Sequence, residues 1–540
     1  MNIKILFQTT KMLFYGDISC NIPMKLSRFK KYDSYKLANF IVSKITKLKI
    51  FKELITFLKV AKPGFINIYL KNKIKFSILE TNEKIKFKFC YRKNVLIEFV
   101  SANPTGPLHI GHVRQAVLGN SIYKLYKSFG FSIQTEFYYN DTGKQIENLV
   151  ISINSHLSNL YLKFFKPFLN KYKGSYLINI SKRFLKFYNF NSYNLKISFN
   201  KKIKKNLYYI KIFSVNFLRF RQDLDLEYLD INFDSYYLES SLYKLGNIKN
   251  TVNRLLKSGY IYEHNNALWL CTTFLINKED KDRVIFKNNR NYTYFLSDIS
   301  YHTTKWKRKF YNSINIHGID HQSTINRVKA GLKAIKFGIS DNFPTYILHK
   351  MVKINKNEKE IKISKRSGDY LTMRDLINIL GKSFINFFCV QKKFDKEFLF
   401  DISNINKKGI ENPVYYIKCA FNRILLIFKK SKIKSFNIEN FYKYPAKIYI
   451  LKSIYEIKLI KNLCNFIKVI NSSINEFSIH YIINWLYECS NNFYKLQSSE
   501  KILLCNMELK FARLKLLSII SIIFKYSFKI IGIFDNKKIN

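Results

Sequence analysis

Two histidines on either side of a glycine are the first residues whose types and spacing suggest chemistry. The tetrapeptide His109-Ile110-Gly111-His112 follows a loop that contains Pro104-Thr105-Gly106-Pro107 and precedes a stretch with helical spacing. This position favours anion binding, because a helix N-terminus offers backbone N–H groups and a positive dipole end. Imidazoles three residues apart lie on the same side of a first helical turn and could donate to phosphate oxygens. The tetrapeptide alone leaves open the alternative of two solvent-exposed or core-capping histidines.

A cluster of cations forms the second candidate. The run Lys362-Ile363-Ser364-Lys365-Arg366 is followed by Ser367-Gly368, which is typical of a loop. Lys and Arg side chains close together suit a triphosphate, whose oxygens accept charge-assisted hydrogen bonds. In a chain this rich in Lys, a solvated charge run explains the motif equally well when it is considered alone.

The elements that must position the histidines can be predicted from apolar spacing. Val95–Val100 is typical of a buried strand, Val113–Phe129 has helical spacing that Gly130 ends, and Phe131–Tyr139 is a second strand pattern. Strand, Gly/Pro loop, helix and strand in this order open a parallel α/β sheet. The histidines would therefore lie where the carboxyl end of a strand meets a helix.

The remainder of the chain divides into further segments. Helical periodicity over Tyr35–Val60 and a strand pattern over Phe65–Leu70 predict a small α/β unit at the N-terminus. From Asn412 onward the pattern is almost wholly helical. The polar stretch Asn355–Glu360 predicts a surface loop, and Leu516–Phe524, bounded by Lys on both sides, predicts a buried helix.

Composition limits the class of protein. The 540 residues include 92 Lys and Arg against 37 Asp and Glu, a formal net charge of +55. Because 47% of residues are hydrophobic and 16% aromatic, a disordered basic tail is excluded. The charge suggests a polyanionic partner, either nucleic acid or an acidic membrane surface. Codon bias is the alternative, because the Lys residues are spread along the chain and Lys, Asn, Ile, Phe and Tyr are all abundant.

The eight cysteines and the lengths of the apolar runs indicate the cellular compartment of the protein. No pair of cysteines has Cys-x-x-Cys spacing, which predicts reduced thiols rather than a zinc or redox motif. No run reaches the roughly 18 apolar residues of a membrane span. A cytoplasmic protein is therefore expected.

The two motifs together resemble the paired signatures of the class I aminoacyl-tRNA synthetases, with Ile363 where Met is usual. The flanks resemble the bacterial arginyl-tRNA synthetases in particular. Segments that carry this resemblance, in chain order, are Gly16-Asp17, Lys62–Asn67, Val95–His112, Tyr138–Ile146, Glu239–Tyr243, Lys281–Val284, Tyr294–His302, Gly318–His321 and Glu411–Tyr416. No single motif is as specific as this ordered set, which covers nearly the whole chain.

The resemblance implies three domains. These are a small α/β N-terminal domain that contacts tRNA (1–92), an α/β Rossmann-like parallel-sheet catalytic domain with an insertion (93–400) and an all-α C-terminal anticodon-binding domain (401–540). The implied activity joins L-arginine and ATP into arginyl-adenylate and transfers the arginyl group to the 3′ end of tRNA(Arg), releasing AMP and pyrophosphate. Mg²⁺ would accompany ATP, with no metal site on the protein itself. The family also suggests a monomer that needs bound tRNA before it activates arginine.

The resemblance also implies residue roles. The catalytic residues would be His109, His112, Lys362, Lys365 and Arg366. ATP would be bound by Gly111, Gly318, Asp320, His321 and Ser364. Arginine would be bound by Glu98, Asn103, Tyr294, Asp298 and Gln322.

Elementary chemistry agrees with part of this assignment. Selecting arginine requires buried carboxylates, because the planar guanidinium has five donors in a fixed arrangement. Glu98 in an apolar strand is either inward and paired or on the solvent face, and the resemblance favours the first. Tyr294 and Asp298, four residues apart, lie on one helical face. Their alternatives are core packing for Tyr294 and a helix-surface charge for Asp298.

Two other classes of protein remain as alternatives. A different class I synthetase or nucleotidyltransferase would keep both signatures but lack Glu98, Tyr294 and Asp298. A catalytically inactive tRNA-binding relative would be expected to lose a signature His or Lys, and none is lost. The chain departs from the family at Asn288-Asn289-Arg290, where an Asp-Gly turn is usual, and in its tail, Asp535–Asn540.

Overall fold

A computed structural model of the chain describes most of its residues, and the account below is of these. They are 7–9, 16–30, 32–80, 94–161, 172, 174–188, 203–276, 279–287, 292–350, 352–356, 359–361, 371–401, 412–431, 438 and 440–534. The chain forms two compact units. The first comprises 1–86, 408–475 and 481–527, and the second comprises 87–407, 476–480 and 528–540.

The N-terminal part of the first unit is a small antiparallel sheet with four helices. Its elements are β1 (Phe7–Thr9), β2 (Ile18–Cys20), α1 (Ile22–Lys30), α2 (Ser34–Ile45), α3 (Lys49–Leu54), β3 (Ile55–Ala61), β4 (Phe65–Leu70) and α4 (Asn72–Glu80). The strand order is β1-β2-β4-β3. The helix predicted over Tyr35–Val60 is therefore wrong at its C-terminal end, where β3 pairs with β4. Propensity agrees with the structure, because Ile55, Thr56 and Val60 are β-branched and favour a strand.

The second unit contains a five-stranded parallel sheet. Its elements are β5 (Asn94–Glu98), α5 (Ile110–Ser128), β6 (Ser132–Tyr139), α6 (Lys144–Tyr161), α7 (Ser175–Phe187), α8 (Ile203–Tyr228), β7 (Ser235–Leu238), α9 (Glu239–Lys244), α10 (Asn247–Lys257), β8 (Ile261–His264), β9 (Ala267–Leu270), α11 (Thr272–Leu275), β10 (Arg283–Phe286), α12 (Tyr294–Lys307), β11 (Asn312–Gly318), α13 (Gln322–Ala334), β12 (Thr345–His349), β13 (Val352–Lys356), β14 (Lys359–Ile361), α14 (Met373–Leu380), α15 (Lys382–Gln391) and β15 (Phe398–Asp401). The large sheet has the order β12-β11-β5-β6-β7, and all its pairs are parallel. The Rossmann-like architecture expected from the sequence is confirmed.

The opening unit of this sheet follows the predicted pattern with one difference. Helix α5 ends before Gly130, whose φ of +85° suits glycine. Strand β5 stops at Glu98 rather than Val100, because Val100 and Ser101 have φ of 68° and 39° and turn the chain out of the strand. Left-handed backbone is costly for a β-branched residue such as Val100. The strained pair lies directly at the carboxyl end of β5.

A second small sheet lies beside α5. Strand β13 pairs antiparallel with β14 and parallel with β15. The surface loop predicted over Asn355–Glu360 is wrong for its four described residues, because Asn355 pairs with Glu360 and Lys356 with Lys359, and residues 357–358 lie outside the described part. Backbone hydrogen bonds form this ladder whatever the side chains are, so polar residues do not prevent it.

The C-terminal part of the chain is helical, as predicted. Its helices are α16 (Pro413–Lys430), α17 (Ile454–Asn475), α18 (His480–Ser499) and α19 (Met507–Ile531). Helix α16 begins with a proline and an Asn412 side chain that accepts from the N–H of Tyr415, a favourable start. The predicted buried helix over Leu516–Phe524 lies within α19. None of the helices that the structure describes is long and apolar enough to cross a bilayer.

Candidate active site

A cavity of about 410 Å³ lies at the carboxyl ends of β5, β6 and β11. The strand order reverses beside β5, and open α/β sheets bind ligands at such a switch point. Several polar side chains converge there. Those that line the cavity are Glu98, Ser101, Asn103, His112, Gln115, Asn140, Gln145, Asp298, His302, Asn315, His317, His321, Thr324 and Tyr346.

Of the two histidines of the first signature, His112 lines the cavity and His109 does not. His109 is the N-cap of α5 and its Nδ1 accepts from the N–H of Gly111 at 3.2 Å. In return, Nδ1 of His112 accepts from the N–H of His109 at 3.3 Å. The two rings stack with their centroids 3.9 Å apart. These backbone N–H groups, which we expected to bind an anion, are thus bonded to imidazoles instead.

This capping arrangement fixes the chemistry of both rings. A neutral imidazole carries one proton, and an Nδ1 that accepts must leave that proton on Nε2. Each ring therefore has an Nε2–H as its donor. A Cβ at Gly111 would lie 3.0 Å from Cε1 of His109, so glycine allows the ring to fold back over the turn. The pair is built to donate to an anion through side chains.

Glu98 is inward and paired, as the sequence favoured. Its Oε2 accepts from Lys305 Nζ and from Asn315 Nδ2, both at 2.5 Å, and its Oε1 accepts from Ser101 Oγ at 3.0 Å. Burial alone would raise the pKa of Glu98, but the charge of Lys305, the two histidines His317 and His302 and the hydrogen bond from Lys305 together outweigh it and lower the pKa to about 2. The carboxylate that the sequence assigned to arginine thus already has a cation partner inside the protein.

A second strand carboxylate is paired in the same way. Glu136, opposite Glu98 on the neighbouring strand β6, accepts from both NH groups of Arg308, at 2.5 and 2.9 Å. It also accepts from the hydroxyl of Tyr301 at 2.8 Å. Glu98 and Glu136 are therefore both compensated by cations that α12 and its C-cap supply.

Two other carboxylates have no such compensation. Asp298, one turn into α12, lines the cavity, and burial raises its pKa to about 7, with the charges of Glu239 and Glu98 adding to the effect. Burial also raises the pKa of Glu239 to about 7. Neither forms an ion pair within the described part of the chain, and Oε2 of Glu239 has no hydrogen-bond partner there. Buried carboxylates without a cation are unfavourable unless a ligand supplies one.

Tyr294 and Asn103, two of the residues predicted to bind arginine, both contact the segment 143–145. Tyr294 begins α12, one turn before Asp298, and is 53% exposed. Its hydroxyl lies so close to Gly143 that a Cβ there would be 2.8 Å away. Asn103 Nδ2 donates to Oε1 of the nearby Gln145 at 2.7 Å, and both side chains line the cavity.

The segment after β11 brings some of the predicted ATP-binding residues to the cavity. Gly318 and His321 line it, and Asp320 is largely exposed. A Cβ at Gly318 would lie 2.3 Å from Oδ1 of Asp320, so the carboxylate folds back over the glycine. Gln322, the first residue of α13, is exposed and does not line the cavity.

The cations of the second signature lie outside the described residues, and so does the serine between them (Lys362, Lys365, Arg366 and Ser364). The same holds for the Asn288-Asn289-Arg290 departure and for the tail, Asp535–Asn540. The chain is described up to Ile361 and again from Leu371.

Two charged residues that act on the carboxylates of the site, Glu239 on Asp298 and Lys305 on Glu98, were missed by the sequence analysis. Glu239 follows β7 directly, and a carboxylate at the carboxyl end of a sheet strand is a usable signal. Lys305 is seven residues after Asp298 and so lies on the same helical face. Its partner, Glu98, is 207 residues away in sequence, and no local pattern indicates that pairing.

No group of three or more His, Cys, Asp or Glu side chains could hold a metal ion in the regions that the structure covers. The seven cysteines that it describes are all free thiols.

Three family models match the chain. "Arginyl tRNA synthetase N terminal domain" matches residues 1–70, "tRNA synthetases class I (R), catalytic domain" matches 75–385 and "DALR anticodon binding domain" matches 417–538.

Similar proteins carry consistent names. The arginine–tRNA ligase of Bordetella petrii is 38% identical over 517 residues, which are 95% of this chain and 91% of the relative. That of Geotalea uraniireducens is 36% identical over 524 residues, 96% of this chain and 92% of the relative. The structure of Thermus thermophilus arginyl-tRNA synthetase superposes with a TM-score of 0.74 over 98% of this chain and 96% of that one. At 16% identity, that structure supports the fold alone.

Proposed function

This chain belongs to the arginyl-tRNA synthetase family, and from that premise we propose how its own residues perform the reaction. The activity is that of a class I arginine–tRNA ligase, which charges tRNA with arginine for translation. The observation that supports the proposal for the amino acid is the pair Asp298 and Glu239. Neither carboxylate has an ion-pair partner among the described residues. Asp298 lines the polar cavity, and the charge of Glu239 helps to raise the pKa of Asp298.

The arginine side chain would enter with its guanidinium towards these carboxylates. A guanidinium stays charged at all relevant pH values and bonds two acceptors at once, so it would replace the missing cation. Tyr294, one turn from Asp298, would contact the same group. Glu98 would act mainly through Lys305, with which it is paired, and its contact with the guanidinium stays a prediction. Asn103 would hold the α-amino and carboxylate end, and we retain Gln322 for the same task although it is exposed.

ATP would lie between the histidine turn and the segment after β11. The Nε2–H groups of His109 and His112 would donate to the α-phosphate, where charge develops in the transition state. Gly111, Gly318 and His321 would surround the nucleotide, with Asp320 and Ser364 at its edges. Lys362, Lys365 and Arg366 would neutralise the β- and γ-phosphates.

The chemistry would proceed in two steps. A carboxylate oxygen of arginine attacks the α-phosphorus of ATP, the bond to the β-phosphate oxygen breaks, and arginyl-adenylate and pyrophosphate form. A terminal ribose hydroxyl of the tRNA then attacks the acyl carbon, loses its proton and expels AMP. Positioning and electrostatic stabilisation account for both steps without a covalent protein intermediate.

The proposal also covers the metal ion, the domain boundaries, the oligomeric state and the location of the protein. Mg²⁺ would arrive with ATP and be held mainly by phosphate oxygens. The domains would be 1–92, which contacts tRNA, 93–400, which is catalytic, and 401–540, which binds the anticodon. We also propose that the protein is a monomer and that it lies in the cytoplasm. Sedimentation of the purified chain would test whether it is a monomer.

Arginine-dependent exchange of pyrophosphate into ATP tests the function. We expect exchange with arginine only when tRNA(Arg) is present, and none with lysine or citrulline. Citrulline is a sharp control because it has nearly the shape of arginine but no charge, so it would leave Asp298 and Glu239 uncompensated. Exchange with another amino acid and none with arginine would contradict the proposal. Exchange with arginine in the absence of tRNA would contradict only the tRNA requirement.

A further inference from the structure

Arg114 is a fully buried arginine two residues after the histidine pair. It is 1% exposed on helix α5. Its guanidinium donates to three backbone carbonyls, those of Lys350 at 2.6 Å, Lys393 at 3.2 Å and Lys396 at 3.2 Å from each terminal nitrogen. No carboxylate among the described residues pairs with it. The two terminal nitrogens of the guanidinium therefore bond only peptide oxygens, and Nε has no hydrogen-bond partner among the described residues.

The three carbonyls lie at one level of the small sheet. Lys350 precedes β13 by two residues, and Lys396 precedes β15 by two residues. Val352 pairs with Phe398 in the parallel register, so the two carbonyls flank the starts of neighbouring strands. Lys393 closes the turn that leads into β15, through a bond from the N–H of Lys396 to its oxygen. Arg114 thus holds both parallel strands of this sheet at their entry points.

Only arginine can make this contact. Burying a cation without a counter-ion is costly, and a fork of donors spread over three acceptors offsets part of that cost. The three donors of a lysine ammonium radiate from one atom on a shorter side chain, so we expect a lysine here to lose at least one of the three carbonyls. Burial lowers the pKa of Arg114, and the thiol of Cys389 and the carboxylate of Asp395 are the nearest groups that oppose this.

The contact joins the histidine-bearing helix to the small sheet that precedes the second signature in the chain. His109 is the N-cap of helix α5 and His112 lies in its first turn, five and two residues before Arg114. Strand β13 leads through the hairpin to β14, which ends at Ile361, and Lys362 follows in the chain. Lys350 itself comes directly after β12, whose last residue, His349, pairs with Gly318 beside the cavity.

We propose that Arg114 is a positioning residue for ATP in the first half-reaction. It fixes the β14-β13-β15 sheet to the histidine-bearing helix, so that the strand leading to the second signature keeps a constant place relative to His109 and His112. The inference rests on the proposed function for its kinetic consequence. The structural part of the inference, that one guanidinium holds the sheet in place, can be tested without substrate.

Arg114→Lys tests the proposal because its effect on KM for ATP should differ from its effect on KM for arginine. A small displacement of groups around the phosphates should lower kcat for pyrophosphate exchange by about 10- to 100-fold and raise KM for ATP. KM for arginine should stay within about twofold, because Asp298 and Glu239 do not depend on this sheet. Hydrogen exchange of the Val352–Lys356 and Phe398–Asp401 amides should become faster while that of α5 stays slow.

Two further variants keep the result interpretable. Arg219→Lys is the matched control, a mostly buried arginine that stacks on Phe137 and Tyr236 at 4.2 Å, and it should lower the melting temperature without this kinetic split. If Arg114→Lys does not fold, Phe394→Gly loosens the Lys393–Lys396 turn with Arg114 intact and should give a weaker form of the same split.

Unchanged amide exchange in β13 and β15 would overturn the proposal, and so would a rise in KM for arginine as large as that for ATP. Because amide exchange is measured without substrate, its outcome separates this inference from the proposed function.

Discussion

Asp298 and Glu239 favour a cationic substrate because neither carboxylate has an ion-pair partner among the described residues. The strand carboxylates Glu98 and Glu136 each have an internal cation, whereas these two have none among the described residues. Burial raises the pKa of both to about 7, so at neutral pH the free site retains protons. A substrate that carries a permanent positive charge would displace them.

This protonation predicts a pH dependence for arginine. Below pH 7 the guanidinium must expel protons, so KM for arginine should rise by about tenfold for each pH unit when one proton is displaced. Above pH 7 it should level off. Pyrophosphate exchange between about pH 6 and pH 8 measures this. KM for ATP, measured in the same series, serves as the internal control. A flat profile for arginine would contradict the assignment.

Asp298→Asn extends the same prediction to stability. The folded-state pKa of Asp298 lies above its unfolded value, so its contribution to stability is present below about pH 4 and is lost as the pH rises through 7. The neutral amide avoids that loss. The variant should therefore melt at a higher temperature relative to the natural protein at about pH 8 than at about pH 5, while its KM for arginine is raised and its pH profile flattened. A melting difference that does not change with pH would count against the raised pKa.

At the scale of elements, α12 forms one wall of the site by presenting a polar stripe to the sheet. Asp298, Tyr301, Lys305 and the C-cap Arg308 recur at intervals of three or four residues, which is the spacing of one helical face. Along this stripe the cations meet strand carboxylates and Asp298 meets the cavity. On this helix, Lys305 and the C-cap Arg308 form structural ion pairs, whereas Asp298 is left to interact with the substrate.

Lys305→Met tests that separation. It would leave Glu98 buried beside Asn315 and Ser101 without a cation, which should cost about 3 to 5 kcal/mol of stability. Urea unfolding measures the loss, with the exposed Lys307→Met as a control on the same helix. Adding Glu98→Gln to Lys305→Met should recover part of the loss. If the double variant is as unstable as the sum of both single ones, the pair is not the cause.

Sequence reasoning succeeded for elements with strong local signals and failed where contacts are distant. The Gly/Pro loop, the apolar strand and Gly130 together predicted β5, α5 and β6. The segment Ile55–Val60 was predicted as helix because its apolar spacing suits either period, whereas the structure pairs it with β4. The charge state of Glu98 depends on Lys305, far along the chain, so only the fold could reveal it.

The whole molecule carries a net charge of +55 that the described site does not explain. Several of its cations are buried and already engaged. Arg114 bonds carbonyls, Lys305 bonds Glu98, and Arg513 bonds Glu456 at 2.6 Å and Glu500 at 2.8 Å. The remaining Lys residues need no individual role, and their number reflects either a polyanionic partner or codon bias. The family assignment names tRNA as that polyanion.

Salt dependence distinguishes these two origins of the charge. If the diffuse charge contributes to tRNA binding, the affinity should fall by about tenfold or more between about 50 and 200 mM salt, because neutralised phosphates release counterions. Filter binding of tRNA(Arg) measures this. KM for arginine, which depends on a buried site, should change far less over the same range. Affinity that is indifferent to salt would assign the excess charge to codon bias alone.

The left-handed backbone at Val100 and Ser101 has a consequence for how this protein can adapt. The turn brings Ser101 Oγ back to donate to Glu98 and to accept from the N–H of Tyr138. Residues held in this region cost about 1–3 kcal/mol each, and glycine there would relieve the strain. At position 100 this relief is opposed, because Val100 is 4% exposed and lines the cavity, so glycine would leave an empty space in its place. At position 101, glycine would remove the hydroxyl from the carboxyl edge of the sheet. Neither residue can therefore be exchanged for glycine to gain heat resistance without a loss at the edge of the cavity.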